Sequence, residues 1–163
     1  AHPVLAAYAD AAGGLSESLW NEIIEARSDQ VERFSSWDAL DAYLERTSGA
    51  VMKLALLACG ASAENVSEIV RWAAQAWGYQ GFLRSSSLRE RLPGDNSLAI
   101  ERAKAAHASV RVLASSLPPA VFPAIGYLAL VPGYLRAIAR GRGERALFMR
   151  QATLIGASAI GRI

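Results

Sequence analysis

Apolar positions recur along the chain with a period near 3.6, and no segment alternates with a period of two, so the pattern predicts helices joined by punctuated loops. Pro3 suits a first helical position, and Gly13-Gly14 stops that helix. Ser16 can cap the next, whose stripe is Leu19, Trp20, Ile23, Ile24, Val31 and Phe34. Ser35 with Asp38 three residues on resembles a capping box with Asp for the usual Glu. The helix it opens carries Leu40, Tyr43, Leu44, Val51, Leu54, Leu57 and Ala58 on one stripe and ends at Cys59-Gly60. Gly49 in its middle costs about 1 kcal/mol against alanine, which marks a close approach. Ser62 opens a helix with Val66, Ile69, Val70, Ala73, Ala76, Trp77 and Leu83 inside. The loop 85–96 ends in the turn chemistry of Pro93-Gly94-Asp95-Asn96. A helix then runs from Ser97 to Ser116. Pro118-Pro119 starts another, and Pro132-Gly133 should kink or split it before Tyr134 to Arg140. Gly141 and Gly143 precede a last helix over 144–160. The expected architecture is all-α, a single helical bundle spanning residues 1–163.

Composition sharpens this picture. Apolar residues make up 52% of 163 and charged residues 20%, enough for a sizeable core and too apolar for disorder. Cys59 stands alone, which excludes an internal disulfide and a cysteine-based zinc site and points to a reducing compartment. The opening Ala-His-Pro has no basic leader, so the sequence shows no signal peptide and reads as a processed or truncated piece. No apolar run makes a clear membrane span; 146–161 comes nearest but carries Arg150.

The net charge is only +2 but is unevenly placed. Nine acids stand in residues 1–50 against Arg27, Arg33 and Arg46, whereas residues 136–163 hold six arginines against Glu144 alone. Such a basic end fits an acidic lipid surface or a protein partner, with Arg145 and Arg150 as contacts. Nucleic acid is disfavoured, because no aromatic-interleaved basic groove is present.

Candidate chemistry is sparse. His2 and His107 lack partners at metal-ligand spacing, and His107 reads as a helix-face residue. Asp38 and Asp41 lie at i, i+3 and could share a divalent ion, although acids in a first turn also complement the helix dipole. No nucleophile elbow, phosphate loop or dinucleotide fingerprint occurs. Met149 and the apolar face around it read as core.

Three stretches carry a resemblance: "WDALDAYLERTSGAVMKLALLACG", "AAQAWGYQGFLRS" and "LPPAVFPAIGYLALVPGYLRAIAR". In this order they resemble the squalene/phytoene synthase family, over most of residues 2–140. "HPVLAAYADAAGGLSESLWNEIIEARSDQVERF" and the closing "GRI" are similar to a divergent branch that includes the mitochondrial complex I assembly factor and its alphaproteobacterial relatives. The resemblance implies an isoprenoid synthase fold, here without its N-terminal helices and with a shortened loop at 92–97. It implies a prenyl-binding cavity walled by Tyr43, Gly49, Gln75, Tyr79, Gln80 and Arg84.

Active members of the family hold Mg²⁺ and prenyl diphosphate through two aspartate-rich motifs. In this sequence Ala76, Leu83 and Arg84 persist, and Gly78 takes the glutamine position with Gln80 two residues on. Ser85 and Arg89 stand at the aspartate positions. The first motif would fall upstream of Ala1. Carboxylates are needed to hold the ions that neutralise a diphosphate leaving group. Arg84, Arg89 and Arg91 could bind an anion directly, without ionising it. The resemblance thus implies a non-catalytic binding or assembly module for a membrane respiratory complex, with no metal, no cofactor and a prenyl or lipid ligand. It would lie in the bacterial cytoplasm or mitochondrial matrix, peripheral to the inner membrane. The alternatives are a Mg²⁺-dependent head-to-head prenyltransferase and a helical structural subunit.

Overall fold

The computed structural model describes residues 17–28, 32–142 and 144–163. Its helices are α1 (Glu17–Ser28), α2 (Trp37–Leu44), α3 (Ala50–Ala58), α4 (Ala63–Arg84), α5 (Ser86–Arg89), α6 (Asn96–Ala114), α7 (Phe122–Ile125), α8 (Val131–Ala139) and α9 (Leu147–Ile160). A π-turn, Glu45–Gly49, joins α2 to α3, and 3₁₀ segments Pro119–Val121 and Gly126–Leu130 flank α7. No strand occurs among the described residues, and the fold is the all-α bundle expected. The expected first helix at Pro3, its stop at Gly13-Gly14, and Ser16, Val31 and Gly143 lie outside the described residues.

Ser36, not Ser35, caps α2; its hydroxyl accepts from the Ala39 amide at 3.1 Å. The stripe foreseen for 37–58 holds at Leu40, Leu44 and Leu54 but not throughout its second half. Leu40 and Leu44 are buried, but Val51 and Ala58 are exposed and Leu57 only half-buried. Met52 and Leu56 take the inner face instead. The cause is the π-turn, whose extra residue rotates everything beyond it by about 100° relative to a continuous α-helix. The carbonyl of Tyr43, at the mouth of this wide turn, accepts from the buried Thr47 hydroxyl at 2.7 Å. Gly60 ends α3 at φ +86°, a conformation side chains resist.

α4 runs through the middle of the bundle and pairs most extensively with α6. α6 begins one residue earlier than the turn predicts, with Asp95 as its cap, and buries Ala99, Ala103, Ala106 and Val110 at i, i+4, i+7 and i+11. Such small side chains let two backbones approach closely. Fully burying each of Leu40, Leu44, Leu56, Ile69 and Leu83 contributes roughly 1.5–3 kcal/mol.

The late chain departs most from expectation. The break falls at the 3₁₀ stretch Gly126–Leu130, and Pro132 sits in the first turn of α8, where its missing N–H costs nothing. Among the described residues Pro119–Ala139, rather than 146–161, is the stretch long and apolar enough to cross a membrane by length and composition, and more than half of its most apolar part is buried against the bundle. α9 starts at Leu147 rather than 144, and its apolar face is not core. Phe148 and Ile155 are 75% and 70% exposed, Leu147, Met149 and Ile160 are exposed with them, and only Ala157 is buried. The inward positions go instead to Arg150, Thr153, Leu154 and Ala157.

Candidate functional site

The second half of α4, "AAQAWGYQGFLR", carries four of the six residues expected to wall a cavity. Tyr79 is fully buried and Gln80 nearly so, whereas Gln75 is half-buried. The Gln80 Oε1 has no hydrogen-bond partner among the described residues, a costly state for a buried acceptor. Gly78 and Gly81 differ. A Cβ on Gly78 would lie 2.3 Å from Leu44 Cδ2, so α2 rests its last leucine on bare backbone. A Cβ on Gly81 would meet nothing within 4 Å. Gly49 also marks a close approach, as its spacing foretells, with Ala74 Cβ and Val70 Cγ1 each 3.3 Å from where its Cβ would stand.

Tyr79 donates its hydroxyl to Asp41 Oδ1, and Arg102 Nη1 reaches Asp41 Oδ2 at 3.1 Å. Trp37 packs 6.0 Å from the Tyr79 ring, and the Arg102 guanidinium lies 5.3 Å above Trp37. Burial first, and then the Asp41 bond, holds the Tyr79 phenol well above its ordinary range, so it is a neutral donor at any working pH. Asp41 is therefore neither a metal ligand with Asp38 nor a helix-dipole ornament. It ties α2 to α4 and α6, while Asp38 stays exposed. Tyr43 lies in a different cluster, 5.1 Å from Phe34 and 6.3 Å from Phe82.

At the end of α4, Arg84 stacks 4.1 Å over the Tyr134 ring and pairs with Glu144. Arg150 completes the group, with its Nη1 3.7 Å from Glu144 Oε2 and donating to the Tyr134 hydroxyl at 3.3 Å. The Arg84 hydrogen bond holds the Glu144 carboxyl below the usual carboxylate range. Arg145 lies against Gly133, where a Cβ would meet its guanidinium. Arg145 and Arg150, the arginines expected at a lipid surface, thus face the body of the bundle.

The three anion-binding candidates are not one cluster. Arg84 is held by Glu144, Arg91 lies half-buried with its guanidinium 5.6 Å over Phe34, and Arg89 is exposed at the end of α5. The loop 85–96 contains this short helix, which the sequence pattern missed. Its cap is Ser85, whose Oγ accepts from the Leu88 amide at 3.4 Å and lies 3.0 Å from Ser87 Oγ.

Two cavities are lined by other residues, Gly49 excepted. One of about 300 Å³ lies beside the π-turn and includes Gly49 with Glu22, Lys53 and Arg71. A larger one of about 640 Å³ lies where α6 ends. Tyr43, Gln75, Tyr79, Gln80 and Arg84 line neither. Sequence reasoning missed Arg102, Tyr134 and Glu144. The first could have been suspected only as a cation on a small-residue helix, and Glu144 only as the lone acid among six arginines; Tyr134 gave no signal without the fold.

The residues at the end of α4 do not fit Mg²⁺. The positions that resemble the family's aspartates carry a capping hydroxyl and a guanidinium, and the carboxylate of Glu144 is shared between two arginines. Among the described residues, no group of three or more His, Cys, Asp or Glu side chains could hold a metal ion. The all-α bundle is of the isoprenoid synthase type. The sequence profile of the squalene/phytoene synthase family matches residues 1–92 of 163, and the chain belongs to that family. The likeness over residues 117–140 falls beyond that match. No curated protein and no solved structure matches the chain.

Proposed function

We propose that this member of the squalene/phytoene synthase family binds rather than transforms, as a module in the assembly of a membrane respiratory complex. The observation that carries the reading is the end of α4, where Ser85 and Arg89 replace carboxylates and Ser85 is used as a helix cap. Without carboxylates at the end of α4, no ion is held there against a diphosphate, and that side of the leaving group keeps its charge cost. A prenyl or lipid ligand would be held but not ionised. The likeness of the first 34 residues to the complex I assembly branch supports the assembly role. The exposed apolar face of α9, beside a basic chain end, supports a place peripheral to an inner membrane, on the cytoplasmic or matrix side.

The test uses the intact gene product with Mg²⁺ and farnesyl or geranylgeranyl diphosphate. Pyrophosphate release should stay at the protein-free baseline. Release that scales with protein concentration would establish the prenyltransferase alternative and overturn the proposal. Purification from its own cells should bring down respiratory-complex subunits in substoichiometric amounts; stoichiometric recovery with the finished complex would put the structural-subunit reading in its place, and absence of such subunits would overturn the assembly role.

A further inference from the structure

The larger cavity is built by three chain reversals. α6 ends at Ala114, where the hydroxyls of Ser115 and Ser116 turn back onto the carbonyls of Val112 and Leu113 at 2.6 and 2.8 Å. Pro118 and Pro119 forbid continuation and start a 3₁₀ turn. Gly161, at φ +62°, reverses the chain after α9. The Arg162 amide bonds to the Ala157 carbonyl at 3.1 Å, and Ile163 returns against the core. Between these reversals lies a space of about 640 Å³, within the size range of small-molecule sites.

Its walls and its rim differ in chemistry. Leu117, Val121, Phe122, Ile125 and Ile163 give it an apolar lining. Arg111 and Arg162 also line it, both are exposed, and neither is ion-paired among the described residues. No acidic side chain lines it. Two unpaired guanidinium groups over an apolar hollow are complementary to a negative head on a hydrocarbon chain, because the fork of each guanidinium matches phosphate or carboxylate oxygens.

We infer that this cavity, framed by the end of α6, the Pro118–Pro119 turn and the Gly161 return, binds an anionic amphiphile: one alkyl chain bearing a phosphate or carboxylate head. The chain enters between Val121, Phe122 and Ile125, and the head stays at the mouth between Arg111 and Arg162. The site shares no residue with the end of α4, so it stands or falls separately from the proposal that the protein is non-catalytic.

The probe is dodecyl phosphate below its micelle concentration, titrated by calorimetry into the intact protein, with octyl and decyl phosphate beside it. Affinity should rise roughly three- to fourfold per methylene. The double variant Arg111→Gln/Arg162→Gln should bind at least tenfold more weakly. Ala108→Trp, an exposed α6 position on the cavity lining, should abolish binding while leaving the melting temperature unchanged. Lys104→Gln, an exposed position on the same helix that does not line the cavity, should change nothing. Absence of saturable binding overturns the inference, as does dodecanol binding as tightly as dodecyl phosphate. Phosphatidylglycerol vesicles separate the sources. Weaker vesicle binding by Ala108→Trp assigns the head to a membrane lipid. Unchanged vesicle binding beside lost dodecyl phosphate binding assigns it to a free amphiphile.

Discussion

Leu44 seats its branched end on the backbone of α4 at Gly78, and three residues later Gly81 faces open space. The two glycines therefore answer oppositely to one added methyl. Gly78→Ala gains about 1 kcal/mol of helix propensity but drives a Cβ into Leu44 Cδ1, Cδ2 and Cγ at once, a clash on the order of 1–3 kcal/mol. The clash dominates, because Leu44 is itself buried against the core. Gly81→Ala keeps the propensity gain without a contact to offend. Urea denaturation should show Gly78→Ala destabilised by about 1–2 kcal/mol and Gly81→Ala stabilised by roughly 0.5–1 kcal/mol. Equal effects would mean that Leu44 does not rest where it is described. From the sequence, both glycines stand out on one helix, but which of them is structural depends on a leucine 34 positions earlier, and no periodicity records that.

His107 joins two elements. It is buried on α6, and its Nε2 donates to the Leu128 carbonyl at 3.2 Å, pinning α6 to the 3₁₀ segment Gly126–Leu130. Burial holds its pKa below the ordinary 6.5, with the Arg111 charge lowering it further and the Leu128 bond raising it. Below that ordinary value the unfolded chain binds a proton that the folded chain refuses, so stability is full above about pH 6.5 and is lost as pH falls through the folded value. The melting temperature should drop between pH 7 and pH 5, and His107→Gln should lose that component of the slope. An unchanged slope in the variant would assign the acid sensitivity elsewhere. At this scale the sequence was a good guide to which helices exist and a poor guide to phase. α4, α6 and the Gly60 stop were legible because caps and apolar periodicity agree. The inner face of α3 was not, because a π-turn leaves no mark in composition. The face of α9 was misassigned because apolar periodicity says which residues share a face, not whether anything covers it.

Across the whole molecule, the acidic first third and the basic last 28 residues give the chain two electrical ends. Arg150 is tied to Glu144 and Arg145 lies against Gly133, so the arginines of the basic end left facing outward are Arg136, Arg140, Arg142 and Arg162. No charged side chain stands between Arg150 and Arg162, and the outward face of α9 offers Phe148 and Ile155 to whatever approaches. Sedimentation with phosphatidylglycerol vesicles should retain the protein at low salt and release it as salt rises. Phe148→Ser/Ile155→Ser should cut binding at least tenfold, since each side chain contributes roughly 1.5–3 kcal/mol when buried. Salt-independent retention, or none, would remove the lipid surface from the account of α9. The π-turn has a consequence at this scale too. A continuous helix over residues 37–58 would act as one rod, and a push at either end would reach the other. The wide turn at Glu45–Gly49 makes it a jointed pair: α2 is registered on α4 through Leu44 and Gly78, and the far side of the joint through Gly49 against Val70 and Ala74. The extra residue of the turn thus lets two positions that a regular α-helix would set on different faces, Leu44 and Gly49, meet the same partner helix.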